Sequence, residues 1–252
     1  MPRDWDASTY ERLSAPLEAM GRDVLWRLEL EGDETVLDAG CGTGRVTAVL
    51  ADRLPHGRVI AVDGSPAMVE QARERLPADR VECQVQDLLE LSVDAPVDAV
   101  LSTATFHWIR DHDALFTRVR EALKPGGRLV AQCGGEGNVA AVKAMGSALA
   151  LEAPYAEHLS EQPETWKFAS PAETEARLRR LGFTDVWCWA TRVDVTPDDP
   201  LGYLGAICLG SFVAELPQEL REPFVEEAVR RLGTPVTLEY VRLNILARTP
   251  VR

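Results

Sequence analysis

The chain is short of positive charge: 27 lysines and arginines stand against 40 aspartates and glutamates, a formal net charge of −13. Holding a nucleic-acid backbone by counterion release needs a basic surface. Nucleic acid is therefore not an expected partner, and a small molecule is. Long hydrophobic runs are absent too. The longest, residues 206–214, is broken by Gly210 and Ser211 and is far shorter than a bilayer-spanning helix, so no membrane partner is expected. The start, Met-Pro-Arg-Asp-Trp-Asp, lacks the charged-then-apolar order of an export signal, which makes the cytoplasm the expected location. Cysteines are few, odd in number and scattered (41, 83, 133, 188 and 208), with no CxxC pair and no metal-ligand pattern. Cys83, Cys133 and Cys188 lie in apolar runs and are expected to be small buried hydrophobes. No repeat or low-complexity tract is present, which excludes a solenoid. Nothing in the sequence bears on oligomeric state.

What remains is an ordinary globular composition, 46% hydrophobic over 252 residues, enough for one full core with a cap. The most informative stretch is Val36-Leu-Asp-Ala-Gly-Cys-Gly-Thr-Gly44. An apolar run ends in Asp38, and glycines at 40, 42 and 44 lead into a segment with Val46, Val49, Leu50 and Leu54 on one helical face. A strand running into a glycine turn at a helix start leaves room for a ligand against the backbone. The next apolar run, residues 58–63, again ends in an acid, Asp63. Turn, helix, strand and terminal carboxylate describe a nucleotide pocket at the carboxyl edge of a parallel sheet.

Strand and helix signals alternate from residue 34 to about 134. Strands are expected at 34–38, 58–63, 80–86, 97–103 and 127–133, with helices at 43–54, 66–76 and 112–123. Ser65-Pro66 supplies a helix cap with proline at the first position, Asp111 caps the next helix, and residues 124–127 make a tight turn. After 134 the rhythm changes. Residues 137–160 look helical, 162–168 form a loop carrying Trp166 and Phe168, and Ser170-Pro-Ala-Glu173 opens a helix ending at Gly182. Strands at 183–195 and 237–247 should pair antiparallel, with the helical stretch 196–233 inserted between them. The expected fold is α/β: a doubly wound, Rossmann-like, seven-stranded, mostly parallel sheet with an antiparallel last strand and a helical cap. One domain is expected over 1–252, with an N-terminal helical segment (1–33), a core (34–134) and cap elements 137–168 and 196–233 lying over the carboxyl edge.

In this order, the glycine turn, Asp63, Asp87 and the Leu123-Lys-Pro-Gly-Gly-Arg-Leu129 turn resemble the class I S-adenosylmethionine-dependent methyltransferases. The stretch Thr103-Ala-Thr-Phe-His-Trp108, with Trp5 and Tyr10, looks most like the trans-aconitate methyltransferase group within them. The resemblance implies S-adenosyl-L-methionine as cofactor. Residues 38–44 (Asp38, Gly40, Cys41, Gly42 and Gly44 among them) would wrap its methionine and ribose. Asp63, next to Gly64 and Met68, would accept from both ribose hydroxyls; Asp87 and Leu88 would hold the adenine; Ser102, Thr103 and Tyr10 would complete the pocket. An ionised carboxylate is acceptor-only, so a ribose diol suits Asp63 chemically as well. Ser65 fills the helix-cap role, which leaves the Asp63 carboxylate for a ligand.

Methyl transfer is an in-line displacement that needs alignment and exclusion of water more than a covalent nucleophile. His107, just beyond the fourth strand, is the candidate catalytic residue: a base for a hydroxyl or carbon acid, or a positioning group if the acceptor is an already ionised carboxylate. It also reads as a half-buried structural histidine bonded to backbone. Trp5, Trp108, Trp166 and Tyr203, with Phe168 and Phe212, are candidates for the acceptor pocket; cap cores need aromatics too. Arg12, Arg110 and Arg242 are unranked candidates for an anionic acceptor's guanidinium. Trp187 and Trp189 are expected under helices, Cys41 in a packing role, and His56 and His112 facing solvent. The leading expectation is methylation of a small acid or hydroxyl on oxygen. Two alternatives stay open: a cofactor-binding, non-methylating member of the fold, and a nicotinamide-dependent oxidoreductase, which Asp63 would also suit.

Overall fold

The computed structural model describes residues 15–159 and 166–251. Trp5, Tyr10 and Arg12 lie outside the described residues. Among those described, no helix is long and apolar enough to cross a membrane. The chain divides into two compact units: Met1–Glu136, Lys167–Thr191 and Arg242–Arg252 form the first, Gly137–Trp166 and Arg192–Val241 the second.

The first unit carries the sheet. Its elements in order are α1 (Ala15–Leu25), β1 (Thr35–Ala39), α2 (Arg45–Asp52), β2 (Arg58–Asp63), α3 (Pro66–Arg75), β3 (Val81–Val85), β4 (Val97–Thr103), α4 (His112–Ala122) and β5 (Leu123–Gly134). Short 3-10 turns at Leu88–Glu90 and Phe106–Trp108 follow β3 and β4. The helix α5 (Ala140–Ala150) belongs to the second unit, and α6 (Pro171–Arg180) returns to the first. The strands β6 (Thr184–Val195) and β7 (Leu238–Arg248) complete a seven-stranded sheet of order β3-β2-β1-β4-β5-β7-β6. The first five strands pair parallel, and β7 runs antiparallel to β5, with Gly134 opposite Arg242 and Arg128 opposite Arg248. β6 runs antiparallel to β7: the Thr184 hydroxyl donates to Arg248 O, and the Asn244 amide donates to Trp189 O and the Thr191 hydroxyl.

Period-two alternation explains why this sheet is buried on both faces. Leu37, Ile60, Val62, Val100 and Leu129 join one apolar cluster with Phe106, Leu115 and Phe116. Their neighbours Val36, Val59, Ala61, Leu101 and Val130 join another with Leu25, Leu28, Leu50 and Leu54. Each fully buried leucine contributes roughly 2 kcal/mol. The helix starts follow the local chemistry: the Ser65 hydroxyl accepts from Met68 N, the Asp111 carboxylate from Ala114 N, and the Ser170 hydroxyl from Glu173 N.

The structure differs from the sequence reading in several places. The turn at 124–127 lies within β5 rather than before it, because Leu123 already pairs with Val97 and the chain then bulges out before Arg128 pairs with Ala99. Cys83 is only half-buried on the edge strand β3, whereas Cys133 and Cys188 are buried. Trp187 is 59% exposed rather than packed under a helix. It stacks on Trp189 at 4.4 Å, and the Arg27 guanidinium covers the Trp189 ring at 5.1 Å.

Apart from the end of β6 and the start of β7, the second unit is helical. After α5 and a 3-10 turn (Tyr155–Glu157) come α7 (Pro200–Tyr203), a π-helical segment (Leu204–Cys208), α8 (Gly210–Glu215) and α9 (Gln218–Leu232). Gly146 on α5 admits Leu209 and Phe212; a Cβ there would lie 2.8 Å from Leu209 Cδ2. Phe212 stacks on Phe224, which meets Tyr155 edge-on at 4.9 Å. Tyr203 and Phe212, expected in an acceptor pocket, are core residues of this unit. Tyr203 is 1% exposed, with its hydroxyl 2.7 Å from that of Tyr240. A tyrosine hydroxyl is sequestered at little cost when a second hydroxyl satisfies it.

Candidate functional site

The glycine turn is built from both sides. Gly40 N and Cys41 N both donate to Val62 O, at 2.7 and 3.0 Å, which ties the end of β1 to the end of β2. Gly40 has φ +89°, and a Cβ on it would lie 2.1 Å from Thr105 Oγ1, in the loop after β4. That loop is held close by the Thr105 hydroxyl, 2.9 Å from Thr103 O and 3.2 Å from Gly40 O. Gly42 has φ +54° for a different reason: its Cα faces open space, with nothing within 4 Å of an added Cβ. This is the surface a ligand can lie against. Arg75, at the end of α3, donates to Thr43 O and, at 3.0 Å, to the Thr43 hydroxyl. It braces the turn from the far side. The sequence reading missed it, because an arginine in a last helical turn looks like ordinary dipole chemistry.

The Asp63 carboxylate is not left wholly to a ligand, as the sequence reading had it. Oδ2 accepts from Gly42 N at 3.0 Å, Oδ1 accepts from Ser65 N at 2.9 Å, and Gly64 N also donates to the group. Ser65 caps α3 as expected, but Asp63 additionally clamps the glycine turn across the sheet edge. Two carboxylate oxygens offer about four lone-pair positions, so acceptor capacity remains for a diol. Burial raises the Asp63 pKa in spite of these bonds.

Asp38 is more deeply buried, 1% exposed. Oδ2 accepts from the Thr47 hydroxyl at 2.7 Å, while Oδ1 has no partner among the described residues. Burial pushes its pKa up to about 6, opposed by the Thr47 bond and aided by the charge of Asp63. Cys41 is buried between these acids, with its thiol 3.6 Å from Gly42 O and its pKa raised by burial and by both carboxylates. It is a packing thiol and no nucleophile.

Other predicted contacts are partly engaged in the fold. The Ser102 hydroxyl donates to Ala39 O at 2.6 Å and is buried, so it braces β1 against β4. Met68 and Leu88 are buried as well. Asp87 caps the turn Leu88–Glu90, its Oδ1 accepting from Leu89 N at 2.9 Å. Thr103 and Gly64 are half-buried at the ends of β4 and β2.

Beyond β4 the chemistry changes. His107 is 7% exposed, and its Nδ1 accepts from Gly134 N, at the end of β5, at 3.2 Å. Its carbonyl accepts from Lys167 N at 2.8 Å, and its ring lies 5.7 Å from Phe168 and 5.2 Å from the half-buried Trp108. Burial, then the charge of Arg242, then His112, hold its pKa well below the ordinary histidine value. Arg242 is 3% exposed on β7, in register with Gly134, and its Nε donates to the Gln132 side chain at 3.3 Å. Of the arginines proposed from sequence, Arg110 is exposed.

His112 departs from expectation: it starts α4 but is 3% exposed, with Nε2 3.1 Å from Phe106 O. It steadies the turn that carries His107. Trp166 belongs to the second unit and is half-buried.

The arrangement discriminates between cofactors. A dinucleotide would bring its pyrophosphate to the turn, next to Asp38 and Asp63. S-adenosylmethionine brings a sulfonium and an ammonium, and its ribose diol suits Asp63. The open Gly42 backbone admits either ligand, whereas the buried Asp38 carboxylate fits the second and opposes the first.

The comparisons agree. The family described as a methyltransferase domain matches residues 36–127. The trans-aconitate 2-methyltransferase of Variovorax paradoxus (strain S110) is 32% identical over 267 residues, covering 97% of this chain and 96% of that protein. The enzyme of the same name from Azoarcus sp. (strain BH72) is 38% identical over 128 residues, 51% of this chain and 50% of that one. In fold, the chain is similar to Haemonchus contortus phosphoethanolamine N-methyltransferase 2 in complex with phosphomonomethylethanolamine and S-adenosylhomocysteine. The TM-score is 0.63 at 21% identity, covering 97% of this chain and 57% of that one. The nicotinamide reading is thereby set aside: the chain belongs to the class I S-adenosylmethionine-dependent methyltransferases, in the trans-aconitate 2-methyltransferase group.

Proposed function

We propose that this enzyme methylates a carboxylate oxygen of a small polycarboxylic acid, with a tricarboxylate such as trans-aconitate as the first candidate. The near-full-length relatives carry that acceptor in their name. The observation that carries the reading is Arg242, a buried arginine on β7 in register with Gly134, whose charge acts on His107. A buried cation near the end of β4 attracts an anion far more strongly than a surface one does, and its planar fork suits a carboxylate. Arg242 and His107 would hold the acceptor. Asp63 would hold the ribose, with Gly42 providing the flat backbone beneath it and Asp38 the negative charge near the cofactor's cationic arm.

The cofactor supplies an electrophilic methyl on a sulfonium. The carboxylate of the acceptor is already ionised near neutral pH, so these residues need only align it and exclude water. Joining an anion to a cation cancels charge as the methyl moves, and a desolvated site favours that change. The acidic net charge, −13, supports a small acceptor over a nucleic acid.

The test is transfer of labelled methyl from S-adenosylmethionine to a panel of di- and tricarboxylates, phenols and amines. Turnover on tricarboxylates with none on phenols or amines is the expected result. Turnover confined to phenols or amines, or binding of cofactor with no transfer to any acid, overturns the reading.

A further inference from the structure

We infer that His107 serves the acceptor as a hydrogen-bond donor through Nε2–H, locked in that tautomer by Gly134 N–H, so that the site takes oxygen nucleophiles that arrive ionised and rejects those that must lose a proton. This rests on the proposed function for the identity of the acceptor, and on the described geometry alone for the state of the ring.

A backbone N–H can only donate. Gly134 N lies 3.2 Å from Nδ1, so Nδ1 presents its lone pair there, and the proton of the neutral ring sits on Nε2. A general base acting through Nε2 needs the opposite tautomer. That would set the Nδ1 proton against the Gly134 proton and leave two buried donors unsatisfied. Protonating the ring creates the same clash.

The surroundings reinforce this. Among the described residues, the charged or titratable groups acting on the ring are Arg242 on β7 and His112 on α4, and the Cys133 thiol on β5 faces the His107 backbone. None of these, among the described residues, is a carboxylate that would stabilise an imidazolium. The contrast with catalytic histidines is direct: those have a carboxylate on Nδ1–H, which turns Nε2 into the acceptor.

The ring is also held in direction. Lys167 N bonds its carbonyl, His112 bonds the carbonyl of Phe106 next to it, and the Phe168 ring lies beside it. An Nε2–H fixed in this way adds a second donor to the Arg242 guanidinium for one carboxylate. In the transfer, the O–CH3 bond forms as the S–CH3 bond breaks, sulfur keeps the electron pair as a neutral thioether, and no proton moves. A phenol or ammonium acceptor would need a proton acceptor, and the lock removes the one that His107 could have been.

The direct test is a long-range 15N–1H spectrum of the histidine-labelled enzyme at neutral pH, with the His107 signals identified by their loss in His107→Gln. An unprotonated Nδ1 and a protonated Nε2 are expected; the opposite tautomer or a protonated ring overturns the inference, whatever the acceptor proves to be. The kinetic test uses the acceptor found in the methyl-transfer panel. His107→Gln keeps an N–H donor but cannot act as a base, and should retain kcat/KM within about 10-fold with an unaltered pH profile. His107→Leu should lose about 100-fold, mostly in acceptor KM. Equal losses in both variants, with an acid limb of the wild-type profile that disappears in Gln, would mark a base. A wild-type enzyme that transfers to no carboxylate would sink the proposed function and leave the ring assignment to the spectrum.

Discussion

The two halves of the sheet's carboxyl edge are built with opposite electrostatics. On the β1–β2 side, Asp38 and Asp63 are acids whose pKa values burial raises; the Thr47 hydroxyl is the partner of Asp38, and backbone amides are those of Asp63. On the β4–β5–β7 side stand a buried guanidinium, Arg242, and a histidine kept neutral. The first half thus presents carboxylates to the turn, and the second carries a cation near a neutral ring. Under the proposed function, a sulfonium cofactor would complete one and a carboxylate acceptor the other, and the reaction between them would cancel both charges. Desolvation, which usually penalises an active site's charges, would then favour each ligand in turn.

The largest break in this comparison should come from Asp63→Ala. It removes both the expected ribose acceptor and the clamp on Gly42, and titration calorimetry with S-adenosylhomocysteine should show at least about a 100-fold loss of affinity. Unchanged binding would refute the cofactor half. Next comes Arg242→Met, which should raise acceptor KM by about 100-fold while the S-adenosylhomocysteine Kd stays within about 2-fold. A parallel loss of both would show that the halves are not separable.

A smaller, graded effect belongs to pH. The Asp38 pKa of about 6 means that cofactor affinity should rise as pH climbs through 6 and the carboxylate ionises. The change between pH 5 and 7 should be about 10-fold, and Asp38→Asn should flatten it. Stability without ligand moves the other way. A carboxyl whose folded pKa is raised contributes stability that is fully present below the unfolded value, near 4, and lost as pH rises through about 6. Thermal melts should show Asp38→Asn removing that loss. His107 and His112, whose pKa values are lowered, contribute stability present above their unfolded value and lost as pH falls through their folded ones. The smallest effect is a control outside both halves: Trp187→Ser should change stability by less than about 1 kcal/mol and neither affinity.

The cofactor half was largely legible from sequence because its logic is local. Glycines at alternate positions, an acid closing each of two strands and Ser65-Pro66 at a helix start each dictate geometry within a few residues. Even there, the bond from Gly42 N to the Asp63 carboxylate joins residues 21 apart, and no local pattern marks it. The acceptor half was far less legible. His112 looked like a solvent-facing helix start, but the carbonyl of Phe106 draws its ring inward. Tyr203 looked like a pocket aromatic, yet Tyr240, 37 residues on, satisfies its hydroxyl in the core of the second unit. Nothing local separated Arg242 from the other arginines.

By itself, then, the order of residues determined the alternating strands and helices, the glycine turn and the acids at its mouth, because strand period, helix caps and left-handed glycines act over a handful of neighbours. Only the tertiary structure decided which nitrogen of His107 carries the proton and which arginine stands beside it. Those choices depend on a backbone amide 27 residues away at the end of β5 and on β7 closing against that strand, contacts that exist only once the sheet has assembled.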